Sequence, residues 1–120
     1  HQSLSAVTGA CMMVRRSIFL EAGGFDEKLS VAFNDVDFCL RVRQKGYRNI
    51  WTPYAEMIHH ESVSRGYEDN EEKQERFLNE INLMKSRGGN ELVSDPAYNS
   101  NLSLTHENYS LAWPPQHSIV

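Results

Sequence analysis

With 120 residues, 40% of them hydrophobic and 23% charged, the chain has the make-up of one globular domain or part of one. Its formal charge of -4, with acids and bases interspersed, argues against a nucleic-acid-binding surface. The longest uninterrupted apolar run, ACMMV, is far too short to cross a bilayer, and Cys11 and Cys39 are too few for a disulfide scaffold.

Both cysteines sit among apolar neighbours, a pattern that reads as reduced, buried thiols of a cytosolic protein. The chain opens HQSLSAVTG without a starting Met, so it reads as cut from something longer, and targeting cannot be judged from that end. Residues 5–14, SAVTGACMMV, predict a buried strand, with Gly9 marking a close approach by backbone or ligand. RRSIFLEAGG predicts a short helix with Ile18, Phe19 and Ala22 on one side and the Gly23–Gly24 pair as its left-handed stop. A loop follows, whose GGFDE opening pins Phe25 inward.

The second helix is predicted over 35–45 and closed by Gly46. Asn34 is its N-cap and Asp37 the acidic half of a capping box. Val36, Cys39, Leu40 and Arg43 share a face that Phe38 and Val42 widen, so this helix is mostly buried, with Arg41 and Arg43 at its edges. YRNIW reads as a strand broken by Thr52 and Pro53, AEMIHH as a second short strand, and ESVSRGYEDNEE as polar and irregular. A third helix spans 71–86 with Phe77, Leu78, Ile81 and Met84 as its apolar stripe, ended by Gly88 and Gly89. From DPAYNSNLSL onward the composition predicts an extended arm with a frayed WPPQHSIV end. The order β-α-loop-α-β-β-α indicates an α/β chain with too few strands for a complete doubly wound domain.

Asp35 and Asp37 stand where loop becomes helix. As caps, carboxylates there gain about 0.3–1 kcal/mol from the helix dipole. As chemistry, one of them accepts a proton from an incoming nucleophile, which needs partial burial or a hydroxyl within hydrogen-bond reach. Both readings stay open at this level. His59 and His60 point to opposite sides if they lie on a strand, so at most one joins a given site. No H-x-x-x-H or C-x-x-C spacing supplies further metal ligands, although Glu61 could add an oxygen. Ser62, Ser64 and Arg65 either bind a phosphate through hydroxyls and a guanidinium or are plain loop residues. Trp51 and Tyr54 flank Pro53 and either offer a platform for a sugar ring or belong to the core.

Taken in order, TGACMMVRRSIFLEAGGFDE, FNDVDFCLRVRQKGYRNIWTPYAEMIHHESVSRG and DPAYNSNLSL resemble the C-terminal half of a bacterial family-2 glycosyltransferase. The resemblance covers about residues 6–104 and is closest to the branch acting in rhamnan, O-antigen and other surface polysaccharide assembly. It implies a partial GT-A (Rossmann-like) α/β fold: the acceptor-binding half over 1–104, then an extended or frayed tail over 105–120. It also implies that Asp35, at the second position of the family's Glu-Asp motif, is the inverting general base, with Asn34 in place of the usual Glu. Asp37 then supports helix geometry or the acceptor, and Arg41 pairs with the acidic motif. Gly9 and Ala10 line the donor-sugar pocket, and His59, less so His60, helps hold metal or diphosphate; the residue readings above add Trp51, Ser64 and Arg65 as candidate substrate contacts.

The implied partners are a nucleotide-diphospho-sugar donor and a saccharide acceptor, with a divalent cation, magnesium or manganese, in the full-length enzyme. The implied location is the cytoplasm, with peripheral association at the inner membrane. The family's nucleotide-binding half and its Asp-x-Asp motif belong N-terminal to Thr8, and the DVD at 35–37 sits in the wrong place to replace that motif. The isolated chain is therefore expected to be inactive and to self-associate through its uncovered sheet edge. The competing readings are a non-catalytic carbohydrate-binding or assembly module on the same scaffold, and an unrelated metal hydrolase around His59, His60 and Glu61.

Overall fold

The structure, a computed structural model, describes residues 1–30, 32–58, 71–88, 92, 94–106 and 108–113. Its elements are β1 (Gln2–Leu4), a 3-10 turn (Gly9–Cys11), α1 (Arg16–Glu21), α2 (Asn34–Gln44), β2 (Asn49–Trp51) and α3 (Glu71–Gly88). The two strands pair antiparallel, Gln2 opposite Trp51, Ser3 opposite Ile50 and Leu4 opposite Asn49. This mixture of helix and strand fits the α/β class.

α2 organises the described residues because it buries side chains on both flanks. On one flank Ala22, Phe38 and Val42 pack with Met12, Val14, Ile18 and Phe19. Phe38 also meets the Phe19 and Phe25 rings at centroid distances of 5.4 and 5.3 Å. On the other flank Leu29, Leu40 and Met84 pack with Phe33, Val36 and Leu83, which docks α3. Each fully buried side chain of this size contributes about 1.5–3 kcal/mol. α1 stops where expected. Gly24 takes φ 66°, its N–H bonds the Phe19 carbonyl at 2.9 Å, and a Cβ there would lie 3.2 Å from the Phe19 ring.

Several expectations are corrected. Residues 5–14 are not a strand, since main-chain groups there are taken by side chains rather than by a neighbouring strand. The Asn49 amide donates to the Ser5 carbonyl at 2.9 Å, the Val7 N–H meets the Cys39 sulfur at 3.4 Å, and the Gly9 N–H meets Asp35. Cys11, in the 3-10 turn, is exposed rather than buried, whereas Cys39 is buried, and both thiols are free. Phe25 keeps its ring contacts but remains 47% exposed.

The N-cap of α2 is Phe33, in the left-handed region at φ 62°, with no side-chain cap bond; Asn34 is the first helical residue. Asp37 forms no capping box, because arginines occupy its carboxylate. Residues 55–58 form no strand, and His59 and His60 lie outside the described residues. On α3, Phe77 and Leu78 are exposed, while Glu80 and Met84 are buried. The predicted extended arm folds back on itself: Leu102 bridges Leu111, and the Ala112 N–H donates to the Asn101 carbonyl at 2.8 Å.

Candidate functional site

Asp35 and Asp37 lie in one turn of α2 but face different surroundings. Two residues of helix turn the side chain by about 200°. Asp35 is half-buried and faces the segment that follows β1. The Gly9 N–H donates to its Oδ2 at 2.8 Å, and the Val36 N–H donates to its Oδ1 at 2.8 Å. An ionised carboxylate offers about four lone-pair directions. Each oxygen therefore keeps capacity for a further donor, such as a hydroxyl.

Gly9 approaches Asp35 closely: a Cβ at this position would sit 3.3 Å from the Asp35 Cβ, a tight contact. Ala10 follows in the same turn, its N–H bonded to the Thr8 hydroxyl at 3.3 Å. An open groove of about 1190 Å³ runs past this turn, lined among others by Gly9, Ala10, Tyr47, Trp51 and Met57. Trp51 and Tyr54 are 49% and 83% exposed, so neither is a core residue. Asp35 does not line the groove itself; it touches the groove's wall through the Gly9 N–H.

Asp37 is 3% exposed and faces the other way. Arg41 reaches its Oδ2 at 2.8 Å through both Nε and Nη2. Arg41 also donates to the carbonyls of Ala22 and of Gly24, the latter at 2.7 Å, which ties the end of α1 to α2. From α3, Arg87 reaches Asp37 Oδ1 at 3.2 Å and Asp26 Oδ2 at 2.7 Å. The Lys28 N–H and Arg87 hold the Asp26 carboxyl below the usual carboxylate range, and Asp26 in turn raises the Arg87 pKa. A cavity of about 730 Å³ borders this network, lined by Asp26, Lys28, Asp37, Arg41, Met84 and Arg87. Asp37 is thus enclosed by charges, with no outlook on the groove near Asp35.

Of the predicted site residues, the structure gathers Gly9, Ala10, Asn34 and Asp35 near one end of α2, with Trp51 on the same groove. It separates Asp37 and Arg41 to the opposite side. Ser64, Arg65, His59 and His60 fall outside the described residues. Among the described residues no three His, Cys, Asp or Glu side chains converge on a metal position. Sequence reasoning missed Asn49, Glu80 and Arg87. Glu80 carried a signal, since it falls at helical spacing between Phe77 and Met84. It is 2% exposed and accepts the Ala32 N–H at 2.7 Å, bracing the loop that leads into α2.

The chain matches the family described as glycosyl transferase family group 2 over residues 1–119 and belongs to it. A Sinorhizobium fredii protein, uncharacterized protein y4gI, is 51% identical over 114 residues, covering 94% of this chain. O-antigen biosynthesis protein RfbC of Myxococcus xanthus is 45% identical over 60 residues, 50% of this chain. An N-acetylglucosaminyl-diphospho-decaprenol L-rhamnosyltransferase of Mycobacterium tuberculosis is 40% identical over 60 residues, again 50% of the chain. The matched stretches span 12%, 5% and 20% of these relatives' own lengths. No solved structure matches the chain.

Proposed function

We propose that this chain is the acceptor-side half of an inverting glycosyltransferase that builds cell-surface polysaccharide, with Asp35 as its general base. The supporting observation is the Asp35 carboxylate: half-buried, oriented by the Gly9 and Val36 N–H groups, and left with capacity for a hydroxyl beside the groove. Family membership and the names of the O-antigen and rhamnosyl-transfer relatives favour the same reading.

In the proposed step the acceptor hydroxyl donates its proton to Asp35 as its oxygen bonds to the donor's anomeric carbon. The bond from that carbon to the diphosphate breaks with its electron pair, releasing the nucleoside diphosphate and inverting the configuration. Trp51, exposed on the groove, would lie against a sugar ring. Asp37 and Arg41 hold α2 in place and touch no substrate. A divalent cation at the leaving diphosphate, magnesium or manganese, belongs to the proposal for the longer protein; among the described residues no ligand cluster for it is present. His59, His60, Ser64 and Arg65 remain proposed contacts.

Asp35→Asn in the full-length protein is the test. Near-total loss of sugar transfer with donor binding retained is expected, since general-base catalysis contributes about 10²–10⁴-fold. Unchanged transfer would instead assign the scaffold a carbohydrate-binding or assembly role. The chain on its own is proposed to lack donor binding; micromolar affinity for UDP or dTDP by titration calorimetry would contradict this. Self-association is proposed through the two-stranded sheet, where Ile50 and Trp51 are exposed, and a clean monomer in sedimentation at high concentration would exclude it. A cytoplasmic site of action, at the face of the inner membrane, is part of the same proposal. Among the described residues no helix is long and apolar enough to cross a membrane.

A further inference from the structure

We propose that Cys39 and Arg43 are positioning residues: with Asp35 they form a ladder along α2 that seats residues 5–9 and sets where the Asp35 carboxylate meets the Gly9 N–H. The inference deepens, and rests on, the reading of Asp35 as base. Asp35, Cys39 and Arg43 stand at i, i+4 and i+8, one stripe of the helix. Their partners are Gly9, Val7 and Ser5, alternate residues of a segment running the opposite way. Arg43 Nη1 donates to the Ser5 hydroxyl at 2.7 Å. The Val7 N–H donates to Cys39 Sγ at 3.4 Å, and the thiol donates back to the Val7 carbonyl at 3.7 Å. The Gly9 N–H closes the series on Asp35 Oδ2 at 2.8 Å.

The spacing has a simple physical origin. Four helical residues rise about 6 Å, and two residues of extended chain advance about 6.6 Å. Alternate residues of one therefore fall opposite every fourth residue of the other. One side chain, Cys39, satisfies both main-chain groups of Val7, which is why this segment needs no strand neighbour.

The ladder is fixed at its far end and exposed at its near end. Ser5 also donates its hydroxyl to Asp95, and the buried Asn49 amide clamps the carbonyls of Ser5 at 2.9 Å and Cys39 at 3.1 Å. The Gly9 bond lies in an exposed setting, so its position is inherited from the rungs below. The central rung is only 1% exposed. Burial pushes the Cys39 thiol pKa up, the Val7 N–H opposes this, and the charge of Asp35 adds to it. The thiol thus keeps the proton it donates to Val7. Gly9 leaves little slack, with the Asp35 Cβ only 3.3 Å from where its own Cβ would be.

The test uses the full-length protein labelled with ¹⁵N-glycine, so that the Gly9 amide is read directly. Its N–H bond to a carboxylate places the amide proton downfield. Cys39→Ala should abolish that downfield position, and Cys39→Ser, which restores a donor and an acceptor, should recover part of it. Leu29→Ala, a cavity in the opposite core, should lower the melting temperature and leave the Gly9 resonance in place. A Gly9 resonance that stays put in Cys39→Ala, or moves equally in Leu29→Ala, overturns the proposal.

If Cys39→Ala fails to fold, Arg43→Gln gives the same reading from the lower rung: displacement of the Gly9 resonance supports the ladder and constancy refutes it. Kinetics separate the two ideas. With the donor that the wild-type protein turns over in a panel of UDP-, GDP- and dTDP-sugars, Cys39→Ala should lower kcat up to about 10²-fold at nearly constant donor KM, the size expected for a misplaced reacting group. If Asp35→Asn abolishes transfer but Cys39→Ala leaves kcat intact, the ladder fails and the base stands. If Asp35→Asn transfers normally while Cys39→Ala still displaces Gly9, the base reading fails and the positioning geometry stands without its catalytic consequence.

Discussion

Two carboxylates two residues apart should answer the same substitution in opposite ways, Asp37→Asn through stability and Asp35→Asn through activity. Asp37 is 3% exposed and accepts charged hydrogen bonds from Arg41 and Arg87. Truncating one partner of a buried ion pair costs about 3–5 kcal/mol. The two arginines are 26% and 35% exposed, so each can turn partly to water when orphaned, and asparagine keeps one acceptor. The loss for Asp37→Asn should therefore fall below that range, at about 2–3 kcal/mol, the worth of a charged hydrogen bond. At about 4 °C per kcal/mol for a domain of this size, the melting temperature should drop by roughly 10 °C. Asp35 gives up a bond in an exposed setting, and Asp35→Asn should cost about 1 kcal/mol or less. Thermal unfolding followed by circular dichroism reads both variants. The reasoning fails if Asp37→Asn melts with the wild type, or if the two variants lose equal stability.

The thiols should differ in reach: under native conditions an alkylating reagent should modify Cys11 alone, with Cys39 reacting only after unfolding, as counted by intact mass. Acid should weaken the fold through Asp26. Its folded pKa is depressed, so its contribution is present above the usual value near 4 and is lost as pH falls through the lower folded value. Melting temperature against pH should fall less steeply below about pH 4 in Asp26→Asn than in the wild type. Glu80→Ala strands the Ala32 N–H and should cost about 1–3 kcal/mol, whereas Glu80→Gln keeps an acceptor and should cost less, both measurable by chemical denaturation.

The helices were legible in the sequence because their signals are local. α1 ends at its glycine pair, and α2 needed only its apolar spacing and Gly46 to be placed within a residue or so. What could not be read was which partner each polar group would find. SAVTGACMMV has strand composition, yet its main chain is satisfied by a thiol, a carboxylate and an amide that lie 32, 26 and 44 residues further along the chain. Asp37 has capping composition, yet a residue 50 positions on, Arg87, helps to enclose it. At the site, small residues beside a helix start suggested Gly9 and Asp35 separately. Their 2.8 Å contact is a tertiary fact with no trace in the 26 residues of separation.

Phe33 shows how the two sides of α2 depend on each other. A left-handed residue at φ 62° suits glycine or asparagine; for phenylalanine it costs about 1–3 kcal/mol and persists only where surroundings over-determine it. Those surroundings come from α3: Phe77 stacks on the Phe33 ring at 5.7 Å, Glu80 holds the Ala32 N–H, and Arg87 grips Asp37. The Phe33 carbonyl then accepts the Asp37 N–H at 2.8 Å, so the strained residue also starts the helix. With Asp37 locked against Arg87, the rotation of α2 about its axis is fixed. A fixed rotation is what turns Asp35 toward Gly9 on the opposite side. The backbone strain at Phe33 is therefore best understood as the cost of an abrupt entry into α2, one that lets a single helical turn present one carboxylate to a pair of partly exposed arginines and the other to an exposed backbone N–H.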